Sequence, residues 1–96
     1  MRISVTGTQV FRQLLGVQHP VHLDVAQGTI EDGLVLLASR YGRPLERMIF
    51  EPGKRQLKSS IMVLVNGAPH WNLPQRLATP LKDGDAIELR PMAAGG

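Results

Sequence analysis

Cysteine is absent from all 96 residues, which excludes disulfides, thiolate metal centres and a cysteine nucleophile and accords with a reducing cytoplasm. Aromatic side chains are scarce: Phe11, Tyr41, Phe50 and Trp71 are the whole supply, too thin for a base-stacking surface. No apolar run approaches the length of a membrane span, and the opening "MRISVTGTQVF" lacks the apolar centre and small-residue cleavage site of a signal peptide. Also missing are G-x-S-x-G, a phosphate-binding loop and a dinucleotide fingerprint. These absences point to a cytoplasmic domain with no membrane partner and no conventional active site.

What is present suits one globular domain. Hydrophobic residues make up 43% and charged residues 20%, enough for a real core in a chain too short for two. The formal charge is +3 and eight of the eleven basic residues are arginine, which raises nucleic acid as a partner. The charges are scattered, however, with no dense basic block, and direct nucleic-acid binding is not expected.

Periodicity supplies the elements. "RISVT" alternates, with Ile3 and Val5 on one face and Ser4 and Thr6 on the other, the period of a half-buried strand. An irregular stretch containing "VFRQLLG" follows, and "VHLDV" alternates again as a hairpin partner of the first strand. In "GTIEDGLVLLASRYG", Thr29 is a suitable N-cap, Glu31 and Asp32 suit the first turn, and Gly42 closes the end. Ile30, Leu34, Leu37, Ala38 and Tyr41 then share one helical face, which reads as core.

"PLERMIF" offers a short further turn of helix, and "EPGKRQLKSS" a polar loop. "IMVLV" is apolar on both faces, reads as a central strand and ends in Asn-Gly, a tight-turn signal. "GAPHWNLPQRLATPL" holds three prolines and is expected to be irregular with one short edge strand. After the turn "KDGD", "AIELRPM" places Ile87 and Leu89 inward and Glu88 and Arg90 outward. The sum is an α+β fold: a mixed four- to five-stranded sheet with one main helix over approximately Ile30 to Tyr41. Such a helix covers one face of the sheet and leaves the other to solvent or a partner.

No metal site is expected, since His19 and His22 have no third ligand near them in sequence. His70 beside Trp71 reads as loop packing. The remaining feature is the tail: Pro91, whose missing donor ends sheet pairing, then Met92, Ala93, Ala94, Gly95 and Gly96. Residues 1–90 form the expected domain and 91–96 a flexible tail. Two positions without a Cβ suit a narrow channel in another protein, and a carboxylate on Gly96 is the one group such a tail presents.

The segments "LVNG", "PLKDGDAIEL" and P-x-x-A-G-G, with "TIEDGLVLLASRYG" as a looser match, resemble the MoaD/ThiS-like family of ubiquitin-related sulfur carriers, closest to the MoaD branch. The resemblance spans nearly the whole chain and implies a β-grasp fold, a mixed sheet gripping one helix. It also implies a carrier and co-substrate, in the MoaD-like case the non-catalytic small subunit of molybdopterin synthase. An E1-like adenylyltransferase uses ATP, bound by itself and not by this chain, to adenylate Gly96. A sulfur-donor enzyme then supplies sulfur, and the thiocarboxylate passes it to an acceptor such as the large subunit of molybdopterin synthase. A carrier for another product such as cysteine, or a protein modifier joined through Gly96, would use the same tail. Gly95, Ala94, Ala93, Met92, Pro91 and Arg90 are the expected partner contacts of the tail, with Met62 and Leu64 as the apolar pair on the outward sheet face. Family members are often acidic and carry aromatics on that face, whereas this chain is basic and places Thr6, Gly7 and Arg90 there.

Overall fold

In a computed structural model, which describes residues 1–16 and 19–92, the elements run β1 (Arg2–Gly7), α1 (Val10–Leu15), β2 (Val21–Asp24), α2 (Ile30–Tyr41), α3 (Arg43–Ile49), β3 (Ile61–Val65), β4 (Ala68–Pro69) and β5 (Ala86–Pro91). Two 3₁₀ turns, His70–Asn72 and Arg76–Ala78, lie between β4 and β5. The five strands form one sheet in the order β2-β1-β5-β3-β4. β1 and β5 run parallel, while the other neighbours are antiparallel. This is the mixed sheet of a β-grasp.

Alternation in the strands decides which side faces the helices. Ile3, Val5, Leu23, Ile61, Val63, Ile87 and Leu89 are buried with Leu34, Leu37, Leu45 and Ile49 in one core, each large side chain contributing on the order of 1.5–3 kcal/mol by leaving water. α2 starts at Thr29, whose hydroxyl accepts from the Asp32 amide while the Asp32 carboxylate accepts from the Thr29 amide, a reciprocal capping box. The Thr29 amide and, at 3.1 Å, the Thr29 hydroxyl both donate to the Asp32 carboxylate and hold its carboxyl below the ordinary range. Gly33 leaves α2 room to approach the sheet: a Cβ there would lie 3.2 Å from Leu81 Cδ1 and 3.5 Å from Ile3 Cδ1. Gly42, at φ 87°, ends α2 and lets α3 start at once.

Two differences from the sequence expectation have physical causes. The "VFRQLL" segment is a helix, α1, not an irregular stretch; Phe11 and Leu15 are four apart and both buried. β3 is interior to the sheet, as expected, paired with β5 on one edge and the two-residue β4 on the other, and β5 takes the middle place. Pro91 does not end sheet pairing, for β5 includes it opposite Ile61, and the Met92 amide donates to the Ser60 carbonyl at 2.7 Å. Amides alternate sides along a strand, so the Pro91 nitrogen points away from β3, toward the side where β1 has ended at Gly7. A missing donor costs little at that position.

The turns at the far end of the sheet are joined to each other. Asn66 and Gly67 both have positive φ and close the β3–β4 hairpin. The Asn66 side-chain amide donates to Asp85 Oδ1 at 2.9 Å, and its Oδ1 accepts from the Ala86 amide at 2.9 Å. Asp85 Oδ2 accepts from the Lys82 amide at 2.8 Å.

Leu37 is fully buried in α2. Leu37→Ala should cost about 2–5 kcal/mol in denaturant unfolding; a near-neutral value would mean that α2 does not seat the core as described.

Candidate functional site

The face of the sheet turned away from the core carries Ser4, Thr6, Met62, Leu64, Glu88 and Arg90, because each alternates with a buried neighbour. Cross-strand register brings the expected residues together: Met62 is opposite Arg90, and Leu64 is opposite both Glu88 and Pro69. Met62 and Leu64 are half-buried and Arg90 is exposed. Two residues apart on β5, Arg90 and Glu88 form an ion pair. The face therefore offers an apolar centre beside a cation already partnered, an arrangement suited to a partner surface of mixed character.

At the end of this face the chain leaves the sheet. Pro91 and half-buried Met92 are held against Ile61 and Ser60. Ala93, Ala94, Gly95 and Gly96 lie outside the described residues. On one flank, β1 ends beside Leu89, where the Thr8 amide donates to the Leu89 carbonyl at 3.1 Å and the Gly7 amide donates to His19 Nε2 at 2.9 Å. Gly7 is required by a close approach, since a Cβ would stand 2.6 Å from Phe11 Cβ. Gly7 alternates with outward Thr6 and so lies on the core side, not on the outward face where the sequence reading placed it.

The other flank holds residues that the sequence did not single out as a group. Lys58, His70, Arg76 and Met92 share a cleft of about 400 Å³ with Leu57 and Leu77. His70 Nδ1 accepts from the Val63 amide at 3.2 Å, satisfying a strand donor that the two-residue β4 does not reach. Its ring meets Trp71 edge to face, with centroids 5.0 Å apart. Burial, together with the positive charge of Arg76, holds the imidazole below its ordinary value. Positions 58, 70, 76 and 92 have no shared period, so only the fold assembles them. Among the described residues no group of three or more His, Asp or Glu side chains is placed to hold a metal ion, and no helix is long and apolar enough to cross a membrane.

No protein-family model and no curated protein matches the chain. Solved structures do. The solution structure of the Haloferax volcanii HVO 2177 protein superposes with a TM-score of 0.79 at 32% identity, covering 100% of this chain and 87% of that one. The small archaeal modifier protein 1 of Methanosarcina acetivorans gives a TM-score of 0.80 at 31% identity, over 99% and 96% of the two chains. A Pyrococcus furiosus protein described as subunit 1 of a molybdopterin converting factor gives 0.73 at 22% identity, over 97% and 99%, a likeness of fold.

If the outward face meets a partner, Met62→Glu should weaken that binding while leaving Tm nearly unchanged, because the side chain lies outside the core; unfolding of the variant would show that Met62 is a core residue. The depressed imidazole of His70 has a pH consequence. The unfolded chain takes up a proton near pH 6.5, whereas the folded chain resists it, so stability is complete above that pH and declines as pH falls below it. His70→Asn keeps an acceptor for Val63 without titrating. Its Tm should fall less than that of the wild type between about pH 7 and pH 5, and equal slopes would remove His70 as a cause.

Proposed function

Because this chain belongs to the MoaD/ThiS-like family of ubiquitin-related sulfur carriers, we propose that its Gly96 carboxylate is activated by an E1-like adenylating enzyme and converted to a thiocarboxylate. The observation that carries this reading is the course of β5. The central strand is fixed on both sides and delivers the chain to Met92, after which Ala93, Ala94, Gly95 and Gly96 remain. Four residues of chain reach at most about 14 Å, enough to carry a carboxylate into a neighbouring enzyme while the domain stays outside.

The chemistry follows from what a carboxylate lacks. Its oxygen is a poor leaving group, so the Gly96 carboxylate attacks the α-phosphate of ATP held by the partner, releasing pyrophosphate and forming an acyl-adenylate. A sulfide-level sulfur nucleophile delivered by a donor enzyme adds to the carbonyl, and AMP leaves, so that one carboxylate oxygen departs with the phosphate. This chain supplies the acyl group and its positioning, and the partner supplies ATP and the electrostatics of transfer. Met62, Leu64, Arg90, Pro91 and Met92 meet the partner's surface, and Ala93, Ala94, Gly95 and Gly96 enter its channel. We take molybdopterin synthesis, through the large subunit of molybdopterin synthase, as the first destination of the sulfur to test. A second reading, a modifier joined by an isopeptide to lysines, is favoured by the 31% identity over 99% of the chain to a small archaeal modifier protein.

Intact mass tests the reading directly. Incubation with ATP, the E1-like enzyme of the same genome and a sulfur donor should exchange one oxygen of the carboxylate for sulfur. Deleting Gly96, or appending one residue after it, should abolish the exchange without moving Tm. A mass increase equal to a target protein linked through lysine would favour the modifier reading. Absence of both adenylate and thiocarboxylate with the wild-type chain would overturn the proposal.

A further inference from the structure

The cleft that Met92 helps to line brings basic and apolar side chains together. Lys58 and Arg76 stand with His70 around Leu57, Leu77 and Met92. The ion pairs of the described residues occupy Arg2, Arg55 and Arg90. Lys58 and Arg76 have no acidic partner among the described residues. Arg76 lies close enough to His70 for its charge to bear on the imidazole.

Both cations are anchored at the backbone. The Lys58 amide donates to the Ile49 carbonyl at 2.9 Å, at the end of α3. Arg76 sits at φ 50° after the turn at Pro74, with its amide donating to the Leu73 carbonyl at 3.1 Å. A left-handed backbone is unfavourable for a residue with a Cβ, and such strain marks sites where a side chain's position is used. Met92 connects the cleft to the tail, because it lines the cleft and is also the last described residue before Ala93.

Resting on the carrier reading above, we propose that this cleft is a docking socket for an acidic loop of the enzyme that activates the tail. Carboxylates of that loop meet Lys58 and Arg76, and its apolar side chains meet Leu57, Leu77 and Met92. Charge complementarity selects this occupant. Two unpaired cations beside apolar side chains repel a basic surface and draw an acidic one, raising the rate of encounter and fixing its register. The position adds a reason: an enzyme that takes in residues 93–96 must bring its channel mouth against Met92, and the cleft is what that mouth encounters. Net charge of +3 on this chain gives the same direction to long-range steering.

The test uses the whole chain with the E1-like enzyme of the same genome and two independent readouts, affinity by titration without ATP and acyl-adenylate formation by intact mass. Lys58→Glu/Arg76→Glu should raise Kd and KM about tenfold or more with kcat within about twofold. The control Arg40→Glu/Lys82→Glu makes the same change in net charge at exposed positions elsewhere and should shift Kd by no more than about twofold. Raising salt from about 50 to about 300 mM should weaken wild-type binding and leave the cleft variant nearly insensitive. An unchanged Kd in the cleft variant, or an equal loss in the control, overturns the socket. Tight wild-type binding with loss only in the cleft variant supports it even if no adenylate forms, in which case the failure belongs to the proposed activation of Gly96. A wild-type chain that does not bind the enzyme at all defeats both.

Discussion

Asp85, nearly inaccessible to solvent, sets the position of the strand on which everything else depends. Its carboxylate receives the Asn66 side chain and the Lys82 amide, while its carbonyl receives the Ser4 amide at 3.0 Å. One residue thereby links the β3–β4 turn, the turn leading into β5, and β1. Hydrogen bonds to an ionised group are each worth about 1.5–3 kcal/mol, and leaving a buried carboxylate without them costs more than any one of them contributes. Nearby, Asp83 Oδ1 accepts from the Arg2 amide at 2.7 Å, and the Gly84 amide donates to the Arg2 carbonyl at 2.8 Å. The beginnings of β1 and β5 are tied in parallel before either strand runs on.

Register is what such a clamp protects. A slip of one residue in β5 would turn Ile87 and Leu89 to solvent and Glu88 and Arg90 into the core, because side chains alternate with period two. Fixed between β1 and β3, β5 instead keeps its apolar residues under α2 and its polar ones outward. The same register decides which side chain of β3 faces which of β5, and therefore that Met62 stands beside Arg90.

The features legible in the sequence are those whose cause is local. The bounds of α2 follow from Thr29, Asp32 and Gly42, and the structure reproduces them because the capping box and the positive φ are short-range events. The faces of β1 and β5 follow from alternation, whereas β3 is apolar on both sides, and its outward pair Met62 and Leu64 follows from there being one main helix to cover the sheet; register then sets Met62 beside Arg90. α1 is not legible because it is six residues long, has no side-chain cap and begins after Gln9 at φ 54°, so its stability comes from burying Phe11 and Leu15 in the core, with α1 packed on β1 and α3. That "IMVLV" is an interior strand was legible from its two apolar faces, whereas the middle place of the less apolar "AIELR", between β1 and β3, was not. The motifs "LVNG" and "KDGD" were visible separately, but nothing in their spacing told that Asn66 and Asp85 meet. The basic cleft was equally hidden, since Lys58, His70 and Arg76 come from three separate segments.

The separation of these features along β5 has a mechanical meaning. Six residues of strand span about 20 Å, so the Asp85 clamp at one end is remote from Pro91 and Met92 at the other. The side-chain bonds of Asn66, Asp83 and Asp85 that fix the strand are made at the end where it starts, whereas the exit carries backbone pairing, to Ser60 just before β3 through Met92 and to the end of β1 through the Leu89 carbonyl. A partner that engages the exit can therefore grip Met92, the cleft and the outward face without competing for the bonds that hold the register. In a domain of this size, with a total stability of roughly 5–15 kcal/mol, that arrangement matters: binding energy spent at the tail end need not be withdrawn from the fold.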